Sequence, residues 1–233
     1  MRLITTMFAA IALAVFASPA SALLIDNFTD ASSVSSPVGP VSTATADIIP
    51  LGSIVGGVRD STALNLSGTG SVDVFTAPGT LLGPTMVMAY AAGPGVCGGF
   101  SLGYDGAGSG LGGVDFTDGG LSNSFVVGVN FSDFGGGVAI TVDDGGGPVT
   151  SPGFPLPGLI TGGAPVPVAI PFAAFPGIDF TTVESVLFEF AAPVPATDIE
   201  ILFLETDFVI PEPATASLLV LAMGSVACVR RRR

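Results

Sequence analysis

The chain has 233 residues, 19 Asp and Glu against six arginines, and no lysine, histidine or tryptophan. The missing His excludes a hydrolase with an imidazole base, the missing Lys a Schiff-base nucleophile, and the lack of His with only two cysteines a clustered zinc site. A net charge of −13, no lysine, and Arg59 as the only cation between Arg2 and Arg230 likewise exclude a phosphate-gripping nucleic-acid interface on the body.

The chain opens MRLITTMFAAIALAVFASPASA, with a positive charge at Arg2, an apolar run from Leu3 to Phe16, a helix-breaking Pro19 and small residues at Ala20 and Ala22. This order is that of a secretory signal peptide cleaved after Ala22, which assigns residues 1–22 to an export signal helix and starts the mature chain at Leu23.

Residues 23–208 read as one all-β domain. The 33 glycines and 19 prolines disfavour long helices, while 48% hydrophobic residues and 17 Phe supply the core that disordered chains lack. Strands are predicted at Leu24 to Phe28, Ala63 to Leu66, Val72 to Phe75, Thr85 to Ala91, Gly99 to Tyr104, Phe125 to Phe131, Val138 to Val142, Val166 to Phe172, Val183 to Phe190 and Ile199 to Leu204. Alternation puts Val138, Ile140 and Val142 on one face and Ala139, Thr141 and Asp143 on the other; Ile199, Ile201 and Phe203 oppose Asp198 and Glu200 in the same way. Strands buried on one face suit an antiparallel β-sandwich. Asp118-Gly119-Gly120 and Asp143-Asp144-Gly145-Gly146-Gly147 read as turns, and Pro148 to Pro167, with six prolines, as a long extended surface loop.

All acidic residues fall between Asp26 and Glu212, where Arg59 is the only cation, so this segment carries about −18. Arg59 is expected either in an ion pair with a nearby carboxylate or facing a ligand. Calcium is the metal that acidic, glycine-rich loops could hold, at Asp143 and Asp144 or at Asp115 and Asp118; the alternative is solvated turn aspartates. A two-carboxylate glycoside hydrolase could draw on Asp105, Asp115, Asp118, Asp133, Asp143, Asp144, Glu184 or Glu189, but nothing in their spacing selects a pair. The expectation is therefore a non-enzyme without a cofactor beyond structural calcium. Cys97 in the body and Cys228 near the C-terminus sit too far apart in kind to pair, leaving Cys97 as a small buried residue, a free thiol or a bond to another chain.

The C-terminal segment, residues 209–233, has three parts. Pro211-Glu212-Pro213 holds the backbone extended; residues 214–229 form an uncharged stretch of 16 residues, about 24 Å long as a helix; Arg230, Arg231, Arg232 and Arg233 end it as a transmembrane stop. This order resembles the PEP-CTERM sorting signal of Gram-negative, exopolysaccharide-producing bacteria. The resemblance implies processing by an exosortase near Pro211, Glu212 and Pro213, anchoring in the inner membrane through the C-terminal helix, and transfer to the cell surface or extracellular matrix.

Within the body, Ile25-Asp26-Asn27-Phe28, Gly56-Gly57-Val58-Arg59-Asp60, Phe180 to Val186 and Ile199-Glu200-Ile201 are similar to galactose-binding-like jelly rolls. That likeness implies a jelly-roll sandwich whose relatives often bind carbohydrate or protein, although the sugar-binding ones usually present Trp or Tyr platforms and this chain has only Tyr90 and Tyr104. The leading expectation is a structural or adhesive protein of the surface or exopolysaccharide matrix, with a carbohydrate-binding module of the envelope as the alternative and a carboxylate-dependent glycoside hydrolase behind both.

Overall fold

Period-two alternation of apolar and polar residues, interrupted by glycine turns, fixes the architecture. A computed structural model describes residues 22–36, 42–48, 54–79, 85–158 and 164–207. Its strands are β1 (Leu23–Asp26), β2 (Ser33–Ser35), β3 (Ser42–Ile48), β4 (Arg59–Ser67), β5 (Val72–Pro78), β6 (Met86–Ala92) and β7 (Cys97–Tyr104), followed by β8 (Ser124–Ser132), β9 (Gly136–Asp143), β10 (Val149–Thr150), β11 (Phe154–Leu156), β12 (Val166–Pro171), β13 (Ser185–Ala192) and β14 (Asp198–Asp207). One antiparallel sheet runs β12-β8-β14-β6-β5-β2 with β1 beside β14; the other runs β10-β9-β13-β7-β4-β3 with β11 beside β9.

The core lies between the sheets. Met88, Tyr90, Val127, Val129, Ile199 and Ile201 project into it from the first, and Ala63, Phe100, Leu102, Ile140, Phe188 and Phe190 from the second. Rings meet across the gap: Tyr90 and Phe100 centroids are 5.4 Å apart, and Phe125 and Phe188 are 5.8 Å apart edge to face. Phe125 also packs edge-on against Phe116, Phe172, Phe175 and Phe180, a nucleus in which each fully buried ring contributes about 1.5–3 kcal/mol.

The all-β expectation holds, and each of the ten predicted strands is found with its ends moved by a few residues. In β9, Val138, Ile140 and Val142 face the core as alternation requires. Two readings are corrected. Pro148 to Pro167 is not one loop: it carries β10, β11 and the start of β12, because an edge strand tolerates proline, whose missing N–H faces away from the ladder, as with Pro155 opposite Gly137 and Pro167 opposite Gly128. In β14, register shifts flank Ile201, so Leu204 rather than Phe203 follows Ile201 into the core, and the Phe203 ring lies where a Cβ on Gly128 would stand. Glu200, expected on a solvent face, is buried, and its Oε2 accepts from Asn130 Nδ2 at 2.6 Å. Strands β2 and β3, rich in Ser, Thr and Ala, carry too little hydrophobic contrast to be read from pattern.

Candidate functional site

Alternation along β4 and β7 sends Arg59 and Tyr104 inward, where they meet Asp26 at the end of β1. Arg59 Nη1 donates to Asp26 Oδ2 at 2.6 Å, with both side chains fully buried, and Tyr104 Oη donates to the same oxygen at 2.9 Å. The Phe28 N–H donates to Asp26 Oδ1, the Asp30 carbonyl accepts from Arg59 Nη2, and the Phe28 ring lies 5.5 Å under the guanidinium. Burial pushes the Tyr104 hydroxyl well above its usual range, and the Asp26 charge adds to that, so it acts as a donor. Of the two roles expected for Arg59, the ion pair is the one present; Arg59 Nε alone has no hydrogen-bond partner.

The acidic loops gather at one end of the sandwich. Asp115 Oδ1 accepts from the Thr117 N–H and hydroxyl and its Oδ2 from the Gly119 N–H; Asp143 Oδ1 accepts from Gly145 and Gly147; Asp144 accepts from Gly146 and from Asp179. These bonds, led by the Thr117 hydroxyl for Asp115 and the Asp179 N–H for Asp144, hold both carboxyls below the usual range. The positive φ of Asp118, Gly119, Gly145 and Gly147 gives the turns expected there. Among the described residues no group of three or more Cys, Asp or Glu converges as a metal cage.

On the outer face of the second sheet lies a different feature. Strands β4, β7, β13 and β9 run side by side, and their registers align two outward rows: Thr62, Ser101, Glu189 and Ala139, then Leu64, Gly99, Ala191 and Gly137. Together they line a trough of about 410 Å³, with Leu66 and Gly153 also on its walls. It crosses four strands, roughly 14 Å at the usual spacing. At Gly99 the floor is bare because the backbone demands glycine: a Cβ there would stand 2.3 Å from the Phe190 carbonyl oxygen. Glu189 is exposed and, among the described residues, has no side-chain partner.

Glu189 was one of eight candidate carboxylates in the sequence, and only the register singles it out. Two signals pointed to the trough: glycines inside strands, at Gly98 and Gly99, and the alternation of Glu189 and Ala191 with the core residues Phe188 and Phe190. Tyr90 and Tyr104 are both buried, so neither offers an aromatic platform. Cys97 is half-buried and, among the described residues, unpaired. The sorting motif Pro211, Glu212 and Pro213, the arginines 230–233, Ala20 and Cys228 lie outside the described residues, and Ala22 is the first residue within them.

No protein-family model and no curated protein matches the chain. Among solved structures it is similar to a family 11 carbohydrate-binding module from Clostridium thermocellum in complex with a β-1,3-1,4-mixed-linked tetrasaccharide, at 12% identity and a TM-score of 0.39, over 83% of this chain and 99% of that one. It is also similar to the family 11 module of the cellulosomal cellulase Lic26A-Cel5E of the same organism, at 11% identity and a TM-score of 0.35, over 83% and 98% of the two chains. At that overlap, the chemistry of the trough rests on its own residues.

Proposed function

We propose that this chain is an exported envelope protein, processed by an exosortase, whose β-sandwich is a non-catalytic module that lays a polysaccharide chain in the trough across β4, β7, β13 and β9. The observation that carries this reading is the trough itself. Pyranose rings are amphipathic, with C–H faces and a rim of hydroxyls. A floor of Gly99, Gly137, Ala139 and Ala191, with Leu64 and Leu66 on its β4 side, offers apolar contact to the C–H faces, while Ser101 and Glu189 offer hydrogen bonds to the rim. An open groove that crosses several strands suits a polymer better than a compact ligand. The lining holds one carboxylate, Glu189, so the acid and partner carboxylate of a glycoside hydrolase are not supplied there. Without an aromatic platform the module relies on shape and hydrogen bonds, and its affinity should fall below that of stacking modules.

Export and tethering rest on the residues of the two ends: Ala20 and Ala22 as the cleavage site, Pro211, Glu212 and Pro213 as the sorting motif, and Arg230 to Arg233 as the stop. The surface or exopolysaccharide matrix is the destination they imply.

Affinity electrophoresis of the full chain through gels containing single polysaccharides tests the binding reading. At least one polymer should retard the protein, and Ala139→Trp, which fills the trough from β9, should remove the retardation. Equal retardation of both proteins would place binding elsewhere. For the sorting reading, deletion of residues 211–233 should release the protein from the envelope fraction, and unchanged fractionation would defeat it.

A further inference from the structure

Resting on the reading of the trough as a polysaccharide site, we infer that Glu189 makes it selective for uncharged sugars: it takes a neutral, hydroxyl-rich glycan and rejects glycans that carry uronates or sulfates. Glu189 sits inside the outward row of Thr62, Ser101, Glu189 and Ala139, between Ser101 and Ala139 on the neighbouring strands, and neither of these carries a charge. No basic residue lines the trough. Arg59, the only cation among the described residues, is fully buried on the inner face and tied to Asp26. An anionic sugar entering the trough would thus meet a like charge with nothing to offset it, on a face partly shielded from water. A neutral sugar meets the opposite situation. A carboxylate is an acceptor with two oxygens, and hydroxyl donors on a pyranose rim can satisfy both through charge-assisted bonds, which are about twice as strong as neutral ones. The apolar floor beside Glu189 leaves those bonds as the main source of orientation.

The structural role that would otherwise account for Glu189 is weak. Its side chain is exposed, packs into no core cluster and makes no bond that the fold needs among the described residues. Core positions flank it in sequence at Phe188 and Phe190, so the strand is held by its other face.

The test compares the full chain, Glu189→Gln, Ser101→Lys and Glu205→Gln in affinity gels containing either neutral glucans and galactans or polyuronates such as alginate and polygalacturonate. The unaltered chain should be retarded by a neutral polymer and not by polyuronate. Glu189→Gln should weaken neutral binding about tenfold, the size of one lost charge-assisted hydrogen bond, and narrow the preference over polyuronate. Ser101→Lys, on the next strand of the same row, should gain polyuronate binding; Glu205→Gln, on the other sheet, should change neither. A neutral-to-acidic ratio that stays within about twofold of the unaltered chain in both trough variants overturns the role of Glu189 while leaving the site in place. Retardation of the unaltered chain by polyuronate as strong as by neutral polymer overturns it equally. Retardation by no polysaccharide at all removes the underlying site, a separate outcome from a lost preference.

Discussion

The interior beneath β4 and β7 and the trough above them are two polar regions separated by one layer of backbone. Below, Arg59 and Tyr104 converge on Asp26, which also accepts the Phe28 N–H. Above, Ser101 and Glu189 project from the same sheet, and Glu189 has no side-chain partner among the described residues. The same alternation builds both: Arg59 and Thr62 on β4, and Tyr104 and Ser101 on β7, stand three positions apart and so face opposite sides of the sheet. Buried polar groups must bond within the protein because water cannot reach them, whereas an exposed carboxylate over a bare floor keeps its oxygens open for an incoming donor.

That contrast can be broken first from below. Asp26→Ala leaves the Arg59 charge buried without its carboxylate, and should lower unfolding stability by about 3–5 kcal/mol in urea titrations; a loss under about 1 kcal/mol would mean that the buried cluster matters no more than a surface pair. The floor of the trough comes next. Gly99→Val would drive a side chain into the Phe190 carbonyl and should cost about 1–3 kcal/mol, whereas Gly137→Ala, whose Cβ would lie 3.6 Å from its nearest neighbour, should stay within about 0.5 kcal/mol. Equal effects at the two glycines would show that backbone approach is not what keeps Gly99 bare.

Smaller effects belong to the acidic end. Asp115, Asp144 and Asp179 are held below the usual carboxylate range, Asp115 and Asp179 chiefly by the hydroxyls of Thr117 and Thr181, and Asp144 chiefly by the Asp179 N–H. A lowered folded value means stabilisation that is present above the unfolded range and lost as pH falls through the folded values. The melting temperature should therefore descend on acidification, and Asp144→Asn with Asp179→Asn should flatten the descent. Asp26, Asp198 and Glu205, each pushed up chiefly by burial, work in the opposite sense and temper the descent. Smallest of all, Glu189→Gln should leave stability within about 0.5 kcal/mol; a large loss would mean that this carboxylate serves the fold.

Much of this molecule is legible in its sequence because alternation is strong where the core is. Val138, Ile140 and Val142 declare their face, and the 17 Phe declare a core. What pattern could not convey has definite causes. The β14 bulge that exchanges Phe203 for Leu204 depends on pairing with β8 and β6, not on β14 alone. Strands β10 and β11 hide among prolines that edges tolerate. Arg59 was recognisable as an ion-pair candidate because it is the only cation in the body, yet its partner, 33 residues earlier, emerges only from the fold. Glu189 was visible as one carboxylate among eight; its isolation over Gly99, Ala191 and Gly137 requires the cross-strand register of four strands.

The most direct test of the binding account is an amide chemical-shift titration of the exported chain with a neutral oligosaccharide cut from whichever polymer retards it. Perturbations should cluster at Gly99, Ser101, Ala139, Glu189 and Ala191, with the outer face of the first sheet, at Phe75, Ala89 and Glu205, unmoved. Perturbations centred on that first sheet, or spread evenly over the acidic loops at Asp115, Asp144 and Asp179, would contradict it.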